Sequence, residues 1–236
     1  MNLILLGEED FIVPSRVRLQ GRRLEHILTI QRARLGDKLR VGKLNGLLGT
    51  GTIVNMNNQA LEMDLLLDKS PPTPLPITLL LALPRPKMLK RILQSVSSMG
   101  VKKIYLINSY RVDKSFWGSP LLQPEKLNEQ LILGLEQARD TVLPEINLRP
   151  RFKPFVEDEL AEIAKGTTAY IAHPEAATVC PAGIDQRTTI AIGPEGGFIP
   201  YEVEKLQSCG FLPINLGERI LRVETAVPVL LSRFTP

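Results

Sequence analysis

The first third of the chain carries short apolar segments separated by polar turns, a pattern typical of β-strands. Residues 22–31 break this pattern with a short apolar face at helical spacing. Asn45-Gly46 is a strong hairpin signal, because both residue types tolerate the positive φ angles of a two-residue turn. The predicted strands lie within residues 1–10 and at residues 38–44, 47–55 and 60–67. These features predict a small β-barrel with one short helix.

A proline-rich segment marks the boundary of this first region. Four prolines fall within residues 71–76, and such a density of prolines favours a stiff, extended linker. We therefore predict a first domain at residues 1–70 and a second domain at residues 71–236.

The second region alternates short apolar segments with amphipathic helical patterns. The predicted strands lie at residues 77–82, 103–107, 169–172, 189–192 and 212–216. The predicted helices lie at residues 87–99, from residue 124 onward, and at residues 156–165, 200–208 and 224–234. Strand and helix alternation is typical of an α/β fold, so we predict a mostly parallel sheet with helices packed against it.

Charge adds a clue about the partner of this chain. The 236 residues carry a net charge of only +4, yet residues 11–43 hold nine basic residues against two acidic ones. Residues 85–103 form a second basic cluster without an acid. Such patches indicate a polyanionic partner such as RNA, with a merely solvated surface as the alternative. The candidate RNA-binding residues are Arg16, Arg18, Arg22, Arg23, Arg32, Arg34, Lys38 and Lys87.

Several classes of protein are disfavoured by the same sequence. No apolar run reaches 18 residues, so we expect no membrane span. Cys180 and Cys209 are too few for a disulfide framework or a cysteine-rich zinc site, and we expect a reducing, cytoplasmic compartment and no metal.

Two glycine-rich corners near the C-terminus are the candidates for chemistry. The first, residues 190–198, reads as a strand that runs into the turn Gly193-Pro194-Glu195-Gly196-Gly197 and then a helix. Glycines let the main chain approach a ligand closely, and ligands of open α/β sheets bind beyond the carboxyl ends of strands. The turn is neither a P-loop nor a dinucleotide fingerprint. The alternative interpretation is a plain strand-to-helix turn.

The second corner, residues 216–226, also lies between a strand and a helix. Two arginines and a glutamate flank the apolar pair Ile220-Leu221. Polar groups around an apolar slot suit a flat heteroaromatic ligand. The alternative is a salt-bridged helix start that Glu224 or Thr225 caps.

These two corners, GPEGGF and LGERILRVETA, resemble the signature of the RsmE family, the 16S ribosomal RNA uridine N3-methyltransferases of the SPOUT superfamily. Weaker similarities lie at His26-Ile27-Leu28 with Arg32 and Gly36-Asp37, at Glu136-Gln137 with Arg139 and Pro144, and at His173-Pro174-Glu175. The chain departs from the family pattern at Gln31, at Ser98-Met99 and at Pro228.

The resemblance implies a fold and a cofactor. The fold is a small PUA-like β-barrel followed by a SPOUT-type α/β domain, with a mostly parallel sheet, helices on both faces and a trefoil knot around residues 169–226. The resemblance also implies a homodimer as the active form. The cofactor is S-adenosyl-L-methionine, with S-adenosyl-L-homocysteine as its product. The implied cofactor-binding residues are His173, Pro174, Glu175, Ile192, Gly193, Glu195, Gly196, Gly197, Leu216, Gly217, Ile220, Leu221 and Arg222.

The implied reaction is methyl transfer to N3 of a uridine in the decoding region of 16S ribosomal RNA, on the free RNA or the small ribosomal subunit. Loss of the N3 proton leaves negative charge on the ring, which a guanidinium would stabilise. Arg222 is the first candidate for this role and Arg219 the second, while Glu224 would orient Arg222 or relay the proton. The alternatives are methylation of another RNA, such as transfer RNA, and a non-catalytic RNA-binding or ribosome-associated protein.

Overall fold

The computed structural model describes residues 2–183 and 186–234. Met1, Ile184, Asp185, Thr235 and Pro236 lie outside the described residues, although the two predicted domains include them and the predicted N-terminal strand includes Met1. The chain separates into two compact units. The first contains Met1–Thr73 and Leu131–Leu143, and the second contains Pro74–Gln130 and Pro144–Pro236. The return of residues 131–143 to the first unit has no signature in the hydrophobic pattern.

The first unit is built on a six-stranded sheet that curls into a half-barrel. Its strands are β1 (Ile4–Leu6), β2 (Phe11–Val13), β3 (Arg16–Leu19), β4 (Lys38–Lys43), β5 (Leu48–Met56) and β6 (Leu61–Lys69). The strand order is β1-β4-β5-β6-β3-β2, in which β1 runs parallel to β4 and the other pairs are antiparallel. β2 and β3 were not predicted, because three or four residues are too few to establish an alternating pattern.

Alternation of side chains gives the half-barrel its core. One face of the strands buries apolar residues around α1 (Gly21–His26), which continues as a π-helical turn through Ile27–Gln31. The buried residues of this core are Ile4, Leu6, Val17, Leu19, Leu24, Ile27, Val41, Ile53, Leu61 and Met63. The predicted helix at residues 22–31 therefore forms, and it ends where Arg32 turns left-handed at a φ of 52°.

The second unit contains a parallel six-stranded sheet with the order β12-β10-β11-β7-β8-β9. Its strands are β7 (Leu75–Ala82), β8 (Val101–Ile107), β9 (Glu145–Arg149), β10 (Thr168–Ala172), β11 (Thr188–Ile192) and β12 (Leu212–Ile214). Its helices are α2 (Pro86–Ser98), α3 (Pro124–Ala138), α4 (Phe152–Pro154), α5 (Leu160–Ala164), α6 (Pro200–Ser208) and α7 (Val223–Arg233), and α3 extends into the first unit. The predicted α/β class is confirmed.

Burial explains why the central strands of this sheet could be predicted from the sequence. β7 carries an apolar run at residues 79–82 and β11 ends in Ile190-Ala191-Ile192, and residues Leu79, Leu80 and Ile190 are fully buried. Strands covered on both faces have this composition.

β9 was missed because it is an edge strand with only two apolar residues. The predicted helix at residues 156–165 is interrupted by a π-helical turn at Phe155–Glu159. The knot stays a prediction, because strand order alone does not define the path of the chain.

No helix within the described residues is long and apolar enough to cross a membrane.

The half-barrel carries a buried ion pair near β1. The Arg23 guanidinium lies 2.6 Å from the Asp10 carboxylate, whose side chain is only 5% exposed. Asp10 also accepts the Gly7 backbone N–H at 2.8 Å. This pair joins the loop after β1 to helix α1.

Replacement of Arg23 should therefore destabilise the fold. Arg23→Ala leaves the Asp10 charge buried without its partner, which costs about 3 kcal/mol of unfolding free energy. Arg16→Ala is the matched control, because Arg16 pairs at 2.7 Å with an Asp64 side chain that is 48% exposed, and an exposed pair contributes little. Urea denaturation measures both variants. An equal loss in the two would contradict the structural role assigned to Asp10.

Candidate functional site

A cleft of about 730 Å³ opens at the carboxyl ends of β10, β11 and β12. The strand ends that border it are Ala172, Ile192 and Ile214. Its walls are the loops that follow these strands and the first turns of α7. The side chains that line it are mostly apolar, and Glu195 and Arg219 are charged. This composition suits an organic ligand with one flat apolar part.

The loop after β11 is a tight turn made by glycine. The Gly197 N–H donates to the Pro194 carbonyl at 2.8 Å, and Gly197 has a φ of +73°. A Cβ on Gly193 would lie 3.0 Å from the backbone nitrogen of Phe198. A side chain at Gly193 would crowd the turn and one at Gly197 would strain it, so the ligand faces bare main chain here.

Two arginines from other strand ends hold the same loop. The Arg85 backbone N–H donates to the Glu195 carboxylate at 3.1 Å. The Arg111 guanidinium donates to the Gly196 carbonyl. Arg85 follows β7 and Arg111 follows β8, so the turn is fixed from two sides. The sequence analysis did not single out Arg111, since its partner is a backbone atom far along the chain.

The loop after β12 depends on Asn215, a second residue that sequence reasoning missed. Its side-chain amide donates to the Ala176 carbonyl at 2.6 Å, and its side-chain oxygen accepts the Gly217 N–H at 2.8 Å. The Cys180 backbone N–H donates to the Asn215 carbonyl at 2.8 Å. An Asn two residues before a Gly is a local turn signal that could have identified it. Burial raises the pKa of the Cys180 thiol.

The loop after β10 places His173 beside this arrangement. The His173 backbone N–H donates to the Ile214 carbonyl at 2.9 Å, and its Nδ1 accepts the Glu175 N–H at 3.2 Å. His173 and Pro174 line the cleft, whereas Glu175 is exposed and does not line it.

A buried glutamate supports the site from behind. Glu202 of α6 is 2% exposed. Its carboxylate accepts the Ser109 hydroxyl at 3.0 Å, the Tyr110 N–H at 2.7 Å and the Ile199 N–H at 3.0 Å. It therefore joins the loop after β8, which carries Arg111, to the end of the glycine turn.

The structure brings most predicted cofactor residues to one cleft. Those that line it are His173, Pro174, Ile192, Gly193, Glu195, Gly197, Leu216, Gly217, Ile220 and Leu221, and Arg219 joins them. Glu175, Gly196 and Arg222 do not line it. Arg222 precedes α7, and its carbonyl accepts the N–H groups of Thr225 and Ala226. Glu224 lies half-buried in the first turn of α7. The roles of all these residues stay predictions.

The predicted RNA-binding residues fall into two groups. Four arginines form ion pairs: Arg16 with Asp64, Arg18 with Glu62, Arg22 with Glu136 and Arg23 with Asp10. The others are exposed and have no ion pair among residues 2–183 and 186–234: Arg32, Arg34, Lys38 and Lys87. The second group has its charge available to a partner.

Over residues 2–183 and 186–234, no group of histidine, cysteine and acidic side chains could hold a metal ion.

Comparison with known proteins gives consistent results. A family model described as an RNA methyltransferase domain matches residues 71–235. The chain is 29% identical over 236 residues to ribosomal RNA small subunit methyltransferase E of Treponema pallidum, which covers 96% of this chain and 87% of that protein. It is 33% identical over 160 residues to the protein of the same name from Mesomycoplasma hyopneumoniae, covering 66% and 68%.

A solved structure shares the fold. The crystal structure of ribosomal RNA small subunit methyltransferase E from Neisseria gonorrhoeae, bound to S-adenosyl methionine, matches with a TM-score of 0.76 and 21% identity. The match covers 98% of this chain and 95% of that one.

The support that Glu202 gives to the site can be tested by an isosteric change. Glu202→Gln replaces one accepting oxygen with an NH₂ group, so one of the two N–H donors loses its acceptor, at a cost of about 2 kcal/mol. We expect a lower free energy of unfolding and faster amide hydrogen exchange in residues 108–112 or at Ile199. Glu204→Gln, on the exposed side of the same helix, is the control. Unchanged exchange in both variants would remove Glu202 from this role.

Proposed function

Because the chain belongs to the family of ribosomal RNA small subunit methyltransferase E, we propose that it methylates N3 of a uridine in the decoding region of 16S ribosomal RNA. The methyl donor is S-adenosyl-L-methionine. The resemblance that GPEGGF and LGERILRVETA carry is thereby confirmed at the level of the family. The observation that carries the proposal is the cleft at the ends of β10, β11 and β12, where both motifs meet.

The residues of the cleft fit this cofactor. Its lining is mostly apolar with a few polar groups, which is typical of small-molecule sites. Ile192, Ile220 and Leu221 offer an apolar slot for a flat adenine, and the main chain at Gly193 and Gly217 is free of side chains. The neighbour of the same fold from Neisseria gonorrhoeae is described as bound to S-adenosyl methionine. When bound, this cofactor supplies an already activated methyl group.

The protein therefore has to align donor and acceptor and to stabilise charge. Alignment converts a bimolecular reaction into one within a complex, which lowers the barrier by several kcal/mol. Arg219 lines the cleft and Arg222 starts the helix that closes it. We assign to Arg222, with Arg219, the stabilisation of the negative charge that develops on the uracil ring. Glu224, in the first turn of α7, orients Arg222 or receives the proton that leaves N3.

The target uridine must be unpaired or flipped out of a helix, because N3 lies on the edge used in base pairing. Proteins read the bases of RNA mainly in single-stranded or irregular regions, where the base edges are accessible. We propose that the domain at residues 1–70 presents such RNA, with phosphate contacts that position the substrate.

A homodimer is part of the proposal. Ile220 is 83% exposed, Val179 61% and Leu212 56%, and Leu212 belongs to β12 at the edge of the sheet. Large apolar side chains exposed near one site favour burial by a second chain. The proposed setting is the bacterial cytoplasm, with the small ribosomal subunit or its free RNA as the partner.

The cofactor site can be tested with a pair of glycines that carry the same backbone constraint. Gly217 has a φ of +103° and lines the cleft, whereas Gly210 has a φ of +87° and lies outside it. Gly217→Ala and Gly210→Ala should each lose about 1 kcal/mol of stability. Calorimetric titration with S-adenosylmethionine should show at least a tenfold weaker affinity for Gly217→Ala only. Equal affinities would place the cofactor elsewhere.

The catalytic assignment is tested by transfer of a labelled methyl group from S-adenosylmethionine to small ribosomal subunits. Arg222→Ala and Arg219→Ala should lower kcat about 100-fold, because each removes a positive charge near the reacting ring. Arg151→Ala, an exposed arginine before α4, should retain the wild-type rate. Near-normal turnover by Arg222→Ala would exclude it from the mechanism. In a parallel assay that offers transfer RNA beside the subunits, label in transfer RNA instead of 16S RNA would reject the proposed substrate.

A further inference from the structure

A groove in the first unit collects positive charge that the cofactor site does not use. It has a volume of about 870 Å³ and crosses strands β4, β5 and the end of β6. Four cationic side chains line it: Lys38, Arg40, Lys69 and Arg139. No carboxylate occurs among the described residues that line it. Such a concentration of one charge attracts anionic ligands.

The register of the strands places three of these cations on one face. Lys38 and Arg40 are two residues apart on β4, so they share a face, and Arg40 lies opposite Thr50 of β5. Leu48, two residues before Thr50, lies opposite Lys69. A bulge in β6 at this point shifts the pairing by one residue. Without the bulge, Asp68 would take the place of Lys69 and bring a carboxylate to the groove.

The lining of the groove also includes Gly49 and Thr50 of β5. A Cβ on Gly49 would lie 1.9 Å from the Leu66 carbonyl oxygen, so the position accepts only glycine. The neighbouring Thr50 brings a hydroxyl to the same lining. The hydroxyl can donate to an anionic oxygen held between the flanking cations.

Arg139 occupies a position that favours glycine. It has a φ of +61°, and the next residue, Asp140, donates its N–H to the Leu135 carbonyl at 3.1 Å. This pattern is the usual glycine-ended termination of an α-helix, here with an arginine at the left-handed residue. An arginine here bears a backbone strain that glycine would avoid, while its positive charge complements the carboxyl end of the helix dipole and also lines the groove.

The charges of the groove are available to a ligand. Lys38, Arg40, Lys69 and Arg139 are exposed, and none forms an ion pair with another described residue. The arginines of β3 and α1, in contrast, are paired with Asp64, Glu62, Glu136 and Asp10. An RNA strand at those arginines would have to displace a carboxylate, whereas at the groove it meets unpaired charge.

We propose that this groove binds the phosphate backbone of the RNA substrate and is the main electrostatic contact of the first unit. The assignment of RNA as the ligand rests on the proposed function. The proposed contacts are phosphates against the four cations, with the Thr50 hydroxyl between them.

The test measures binding to purified small ribosomal subunits as a function of salt. Lys38→Gln with Lys69→Gln should weaken binding about tenfold and reduce the slope of log affinity against log salt by about 1.5. The matched control is Lys126→Gln with Lys165→Gln, which removes two exposed lysines from ion pairs outside the groove. The control should keep the wild-type affinity and slope. Equal slopes for the two double variants would overturn the groove as the contact.

Arg139→Gly separates a binding role from a structural one. Glycine relieves the left-handed backbone, so the variant should melt at the same temperature as the wild type or higher. Its RNA affinity should nevertheless fall about fivefold, and its affinity for S-adenosylmethionine should not change. Unchanged RNA affinity would overturn the proposal for Arg139. If the wild-type protein binds S-adenosylmethionine but not ribosomal RNA, the proposed function itself fails, whatever the variants show.

Discussion

The register of four parallel strands is the constraint on which the site depends. Ala172 lies opposite both Ile192 and Ile214, and Ile192 lies opposite Leu81. The strands β10, β11, β12 and β7 therefore end almost on one line, and the loops that follow them meet. A one-residue slip would turn the side chains of a strand to the other face and separate the two glycine corners. The loop contacts made by Asn215, Arg111 and Glu202 act on positions that this register has already brought together.

The two units use charge in different ways. In the first unit, arginines near β1, β3 and α1 form ion pairs, one of them with the buried Asp10. Other cations of the same unit line a groove without carboxylates. The cofactor cleft of the second unit relies instead on apolar walls and exposed main chain, with Arg219 as its basic side chain. Electrostatic attraction of RNA and recognition of a small heteroaromatic ligand are thus assigned to different residues.

Sequence alone predicted the features that depend on local patterns. The buried strand β7 carries an apolar run at residues 79–82 and β11 ends in Ile190-Ala191-Ile192, and the glycine corners stand out because few residues tolerate their backbone. What it missed depends on partners distant in the chain: β9, which pairs as an edge strand with β8, and Arg111, which holds Gly196. Net charge in residues 11–43 could not distinguish the paired Arg16 and Arg23 from the unpaired Lys38, since pairing is set by the register of β3 and β6 and by the loop after β1.

The central claim is that this chain methylates N3 of a uridine in 16S ribosomal RNA. The most direct measurement maps N3-methyluridine along small-subunit RNA from cells that lack the protein, cells that have it, and cells complemented with the wild-type chain. The account predicts that methylation disappears at one uridine of the decoding region in the deletion strain and returns with complementation. An unchanged methylation map in the deletion strain would contradict it.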